Sequence, residues 1–189
     1  MDDQSDFLTI LIPVLVVLII YFISRKAKGN TDASGTDTSV KNRKQNQIPI
    51  VTITANNILF DSSMKMDGKT RSALELLSKH ACIYIFILVD GFEEMKRIKE
   101  EMEKEFEGIV DKEHILYSEK VEGRQSLARQ IEPVAHIDFD PEIVHLTSIF
   151  IPTVLIAPSS VECKYAKWQS ESISDFLTNG NTDFFNSLK

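Results

Sequence analysis

Cys82-Ile83-Tyr84-Ile85-Phe86-Ile87-Leu88-Val89 is an unbroken apolar run, rich in β-branched and aromatic side chains. A strand with one wet face alternates apolar and polar residues. This run does not, so it reads as a strand covered on both faces, the kind found inside parallel sheets. Upstream, Ile50 to Thr54 is short and β-branched; downstream, His114 to Tyr117, Ala135 to Ile137 and Thr153 to Ala157 are three further strand-like runs. Helical patterns lie between them. Lys69 to Lys79 places Leu74 and Leu77 at helical spacing, and Phe92 to Glu107 aligns Phe92, Met95, Ile98, Met102 and Phe106 on one stripe. The opposite face of that helix sets Glu93 four residues before Arg97 and Glu100 four before Lys104, the favourable order for ion pairs. Glu122 to Gln130, Pro141 to Ile149 and Ser172 to Leu177 complete the helices, with Asp140 as N-cap and Pro141 in the first turn of the fourth. Strand and helix alternating in this way predict an α/β fold: a single Rossmann-like three-layer domain on a parallel sheet of about five strands.

The N-terminus is of another kind. Phe7 to Ile23 is uncharged, flanked by Asp2, Asp3 and Asp6 on one side and Arg25, Lys26 and Lys28 on the other. As a helix it spans about 26 Å, enough to cross a hydrocarbon core, and Pro13 is tolerated inside lipid when neighbouring groups satisfy the backbone. A cleaved secretory signal would place its basic residues before the apolar run, and a mitochondrial presequence would lack the aspartates. The positive flank stays cytosolic. The chain is thus expected to divide into a non-cytosolic N-terminus (1–6), one transmembrane helix (7–23), a stalk (24–47) and a cytosolic domain (48–189). The stalk is mostly Gly, Ser, Thr, Asn, Asp and Lys, with Val40 as its one large apolar residue, too polar to build a core.

Residues 1–47 hold six of the 21 basic and five of the 28 acidic side chains, so the remainder carries 15 and 23, a net of −8. Nucleic acid is not an expected partner of such a surface. The two cysteines, Cys82 and Cys163, have no metal-ligand spacing and fit a reduced compartment.

In a parallel sheet ligands bind beyond the carboxyl ends of the strands, where this chain places Asp61, Asp90, Ser118, Asp138 and Asp140. Such a cluster suggests magnesium and phosphoryl transfer, and a membrane-tethered, metal-dependent phosphohydrolase is the alternative reading. The aspartate nucleophile should follow the first strand, but Thr54-Ala55-Asn56-Asn57 supplies only amides, which cannot form an acyl phosphate. Asp61 would have to serve from further along the loop. No phosphate-binding glycine loop, nucleophile elbow or zinc-protease motif occurs. His136 and Asp138 share a strand face, with Asp140 and His145 downstream, and could be drawn as a metal site. A histidine packed against Asp138 or a neighbouring arginine is the simpler reading, and His80 and His114 read as capping or exposed.

The densest run of unusual residues is Gly123 to Ile143, G-R-Q-S-L-A-R-Q-I-E-P-V-A-H-I-D-F-D-P-E-I. This segment resembles the peroxin-22 family, peroxisomal membrane proteins that anchor the ubiquitin-conjugating enzyme peroxin-4, and the layout of anchor, stalk and single α/β domain is similar too. The resemblance implies a non-enzymatic adaptor of the peroxisomal membrane, its domain in the cytosol. Its partners would be that conjugating enzyme and, through the anchor, lipid, and it would serve import-receptor ubiquitination and recycling. No cofactor, metal or catalytic residue is then expected. Arg124, Ser126, Arg129, Gln130, Glu132, His136 and Asp138 become candidates either for partner contact or for locking the domain's own loops. A tether for a different cytosolic partner at another membrane is a third reading.

Overall fold

The apolar run at Cys82 forms β2 of a six-stranded, wholly parallel sheet in the computed structural model, which describes residues 48–189 except 61–63 and 180. The expected segments 1–6, 7–23 and 24–47, and Asp61, lie outside the described residues. Among those described, no helix is long and apolar enough to cross a membrane. The elements run β1 (Ile50–Thr54), α1 (Gly68–Ser78), β2 (Cys82–Leu88), α2 (Phe92–Glu105), a 3-10 turn (Lys112–His114), β3 (Ile115–Ser118), α3 (Val121–Ile131), β4 (Ala135–Asp138), α4 (Pro141–Ser148), β5 (Thr153–Ile156), β6 (Trp168–Ser170), α5 (Ile173–Thr178) and α6 (Thr182–Ser187). The sheet order is β3-β2-β1-β4-β5-β6.

Period-2 alternation sorts the strands into two faces. Val51, Ile53, Ile83, Ile85, Ile87, Ile137, Val154 and Ile156 look to one side. There they meet Leu74 and Leu77 of α1, Ile98 and Met102 of α2, Phe176 of α5 and Phe184 of α6 in the main core. The other side is covered by α3 and α4 over two smaller clusters, one around Phe86 and Ala128, one around Val144 and Leu155. Thr52, Thr54, His136 and Asp138 also point to this second face, all fully buried. Helix starts follow local chemistry. The Asp67 carboxylate accepts from the amides of Lys69 (2.7 Å) and Thr70 (2.8 Å) at α1. As expected, Asp140 caps α4 by accepting from Glu142 N, with Pro141 in the first turn.

Several expectations need correction. The sheet has six strands, not about five, because Trp168–Ser170 adds a short edge strand beside β5. A last helix, α6, follows α5. His114 sits in the 3-10 turn before β3, its ring stacked on Tyr84 at 4.1 Å. Phe92 does not belong to the buried stripe of α2; at the first helical position its side chain is 62% exposed. The ion pairs on that helix are Glu94 with Arg97 and Lys99 with Glu103, rather than those read from the sequence.

Candidate functional site

Strands β1, β2 and β3 step one way from the middle of the sheet and β4, β5 and β6 step the other, so the order reverses between β1 and β4. The crevice beyond the carboxyl ends of those two strands is where a parallel α/β sheet takes a ligand. β1 delivers Thr54 and the loop residue Asn56; β4 delivers Asp138 and, two residues on, Asp140; the first turn of α3 delivers Arg124.

Arg124 is the largest fully buried side chain among the described residues, 1% exposed. Its Nη1 donates to Asp138 Oδ1 at 3.1 Å, Nη2 reaches Asp140 Oδ2 at 3.3 Å, and Nε donates to the Val121 carbonyl at 3.4 Å. The guanidinium also lies 5.0 Å from the centre of the Phe139 ring. Asp138 Oδ1 takes a second bond from the Asp140 amide at 2.9 Å, while Oδ2 accepts from the Thr54 hydroxyl at 2.6 Å. His136 Nε2 stands 3.3 Å from the same Oδ2, within ion-pair distance but outside hydrogen-bond alignment. Its Nδ1 shares a 2.9 Å bond with the Thr52 hydroxyl. Burial by itself pushes the Asp138 carboxyl up, but His136, the Arg124 charge and the Thr54 hydroxyl outweigh it and hold the group below its usual 3.8.

Asn56, standing where a nucleophile would be required, is equally committed. Its amide nitrogen donates to the Leu88 carbonyl (3.1 Å) and its oxygen accepts from the Leu88 amide (2.8 Å), so the side chain extends the β1–β2 ladder by one rung. Asp90 is exposed, and no contact links its carboxylate to Arg124, Asp138 or Asp140. Among the described residues no three His, Cys, Asp or Glu side chains come together as a metal would need. The described residues of the crevice do not fit a divalent cation: Asp138 already serves three hydrogen-bond donors, and a fixed positive charge fills the space between it and Asp140.

The sequence-derived candidates fall into two groups. Arg124, His136 and Asp138 are buried and bonded to each other's neighbourhood, while Ser126, Arg129, Gln130 and Glu132 are exposed along the outer side and end of α3. Arg129 lies over the Phe150 ring at 4.4 Å, and Glu132 ends the helix in the left-handed region, φ 53°. Gly123 lets α3 approach β3: a Cβ there would fall 2.0 Å from Ser118 Oγ. Thr52, Thr54 and the Leu88-directed role of Asn56 were not among the candidates. The signal for the threonines was their i, i+2 placement in an otherwise apolar strand, in step with His136 and Asp138.

A wholly parallel sheet in this order, with helices on both faces, is a Rossmann-like α/β domain. Residues 39–177 match the family model of peroxisome biogenesis protein 22, haloacid dehydrogenase-like domain, and the chain belongs to that family. The match includes the segment Gly123 to Ile143 that carries the resemblance. Among solved structures, a protein classed as a haloacid dehalogenase-like hydrolase from Burkholderia xenovorans LB400 is similar at 16% identity and a TM-score of 0.46, over 67% of this chain and 63% of that one. The chain thus spans less than two thirds of that structure's length. No curated protein matches the chain.

Proposed function

We propose that this peroxisome biogenesis protein is a non-enzymatic adaptor, held at the peroxisomal membrane by residues 7–23, that recruits a peroxin-4-like ubiquitin-conjugating enzyme for import-receptor ubiquitination and recycling. The observation that carries the non-catalytic half is the occupied crevice. Arg124 neutralises Asp138 and Asp140 from within, and Asn56 spends both ends of its amide on Leu88, which supports a crevice whose described residues are committed to the fold rather than to chemistry. Family membership supports the peroxisomal half. The adaptor role and its partner come from the family resemblance and not from the crevice.

The buried members of the motif, Arg124, His136 and Asp138, are assigned to holding α3, β4 and α4 together. Of the exposed members, Ser126, Gln130 and Glu132 are assigned to partner contact, where a stable complex needs a surface of roughly 800 Å² per side with a few anchors on it, while Arg129 is held over Phe150. Calorimetry of residues 48–189 with the cell's peroxisomal ubiquitin-conjugating enzyme tests the reading. Binding that weakens on Ser126→Ala or Gln130→Ala at unchanged melting temperature supports it. A well-folded domain that fails to bind at tens of micromolar, together with normal receptor recycling in cells lacking the protein, removes it. Magnesium-dependent ester hydrolysis abolished by Asp138→Asn would restore the phosphohydrolase alternative.

A further inference from the structure

Seven large apolar side chains are exposed among the described residues, and five of them lie just ahead of strands at the amino end of the sheet. Ile48 precedes β1, Val134 precedes β4, Ile149 and Phe150 precede β5, and Tyr165 precedes β6; the first, third and fourth are 70%, 68% and 57% exposed. These segments are neighbours. The Val134 amide donates to Ile50 O (2.8 Å), the His136 amide to Pro152 O (3.0 Å) and the Lys167 amide to Thr153 O (2.9 Å), which sets the starts of β1, β4, β5 and β6 side by side. Charge singles out the β1, β4, β5 and β6 part of that end, since the segment leading into β3 at the far edge of the sheet carries Glu107, Asp111 and Glu113. In a domain of net −8, the strand-leading segments 48–49, 132–134, 149–152 and 164–167 hold Lys164 and Lys167 against Glu132 alone, and Arg129 adds a cation over Phe150. The loops and helix starts at the opposite end carry Asp90, Glu94, Glu119, Glu122, Asp140 and Glu142, with Lys120 among them.

We propose that the amino end of the sheet is a lipid-contact face, which lies against an anionic bilayer with Ile149 and Phe150 at the interface and Arg129 and Lys167 over the headgroups. The proposal rests on the anchored topology proposed above. What singles out lipid as the occupant is the place where the chain joins the domain: Ile48 is both a member of the patch and the residue that follows the segment leading back to 7–23. The 24 residues from 24 to 47 can extend no further than about 80 Å, so the patch never leaves the neighbourhood of the membrane. A face that is apolar at its centre and cationic at its rim, on an otherwise acidic body, suits an anionic interface and orients the acidic end away from it.

The test uses the full chain in vesicles of phosphatidylcholine with or without phosphatidylserine, carrying Cys82→Ser and Cys163→Ser and one fluorophore at either Ile149→Cys or Phe92→Cys. Phe92 is as exposed as Ile149 but belongs to the acidic end, which makes it the control. Spin-labelled lipid should quench the probe at 149 in the anionic vesicles, several-fold less in neutral ones, and leave the probe at 92 unquenched in both. Arg129→Gln with Lys167→Gln should weaken the contact equilibrium by about thirtyfold. A chain that resists alkaline extraction yet leaves the probe at 149 as unquenched as that at 92 overturns the lipid face alone. Extraction of the chain by alkali overturns the anchored topology and the lipid face with it. Shielding of the probe at 149 by the ubiquitin-conjugating enzyme rather than by lipid assigns the patch to protein and also overturns it.

Discussion

The guanidinium of Arg124 and the carboxylate of Asp138 form an ion pair closed to solvent, Nη1 to Oδ1 3.1 Å, between a helix and the strand that follows it. Both partners are already out of water, so removing one leaves the other charged and buried on its lesser partners alone, Asp140 for Arg124, and Thr54, His136 and the Asp140 amide for Asp138. Arg124→Met should therefore cost about 3–5 kcal/mol in urea denaturation, and Asp138→Asn a similar amount. The double variant should cost less than the sum of the two. Additive losses would show that the two residues act apart.

The depressed Asp138 carboxyl sets an acid limit. Its folded-state value lies below the unfolded 3.8, so its contribution is complete above that value and is lost as pH falls through the folded one. Thr54→Val removes a 2.6 Å donor to Asp138. It should lower stability at neutral pH by about 1.5–3 kcal/mol and move the acid transition upward. Denaturation midpoints from pH 7 down to 2 would show this, and a variant with an unshifted acid limb would contradict it.

Asn56→Asp, the substitution that restores a nucleophile-like carboxylate, should not create an enzyme. It replaces the donor to Leu88 O by an oxygen facing an oxygen and should destabilise the domain by about 1–3 kcal/mol. Thermal denaturation beside a phosphate-release assay with magnesium would check both halves.

Glu132 closes α3 at φ 53°, a conformation that costs a side chain free energy which glycine does not incur. Glu132→Gly should stabilise the domain by about 1 kcal/mol. If the carboxylate also contacts the partner enzyme, affinity should fall in the same variant, so stability and binding would move in opposite directions.

Gly123→Ala should lose about 1 kcal/mol despite the better helix propensity of alanine. The new methyl meets Ser118 Oγ at 2.0 Å and forces that hydroxyl off the Lys120 carbonyl, which it now reaches at 2.7 Å. Ser118→Ala in the same chain should recover part of the loss; an equal loss in both backgrounds would move the cause elsewhere.

The sheet was legible where burial on both faces left a continuous apolar run, as at Cys82 to Val89, and where a cap announced a helix, as at Asp140-Pro141. β6 was not, because an edge strand of three residues, Trp168, Gln169 and Ser170, has one exposed position between two half-buried ones and no apolar run to betray it. Phe92 misled for a different reason: it continues the stripe of α2 in register, but at the first helical position it overhangs the sheet end instead of reaching the core. At the candidate site, the pairing of His136 with Asp138 on one strand face could be read from spacing. The three-way junction of Arg124, Asp138 and Thr54 could not, since it depends on which strand lies beside β4, and strand order is set by packing rather than by any one segment.

β1 is both the first strand after the N-terminal region and an interior strand, paired with β2 along Ile50–Thr54 and with β4 from Val51 to Ile53. Tension arriving through residue 47 therefore pulls along the axis of a strand gripped on both edges. It loads the hydrogen bonds of two ladders in shear, together, instead of opening them one after another. Tension arriving at Lys189 meets only the short helices α6 and α5, which can peel away in turn. The domain is thus built to bear load from its first residue better than from its last.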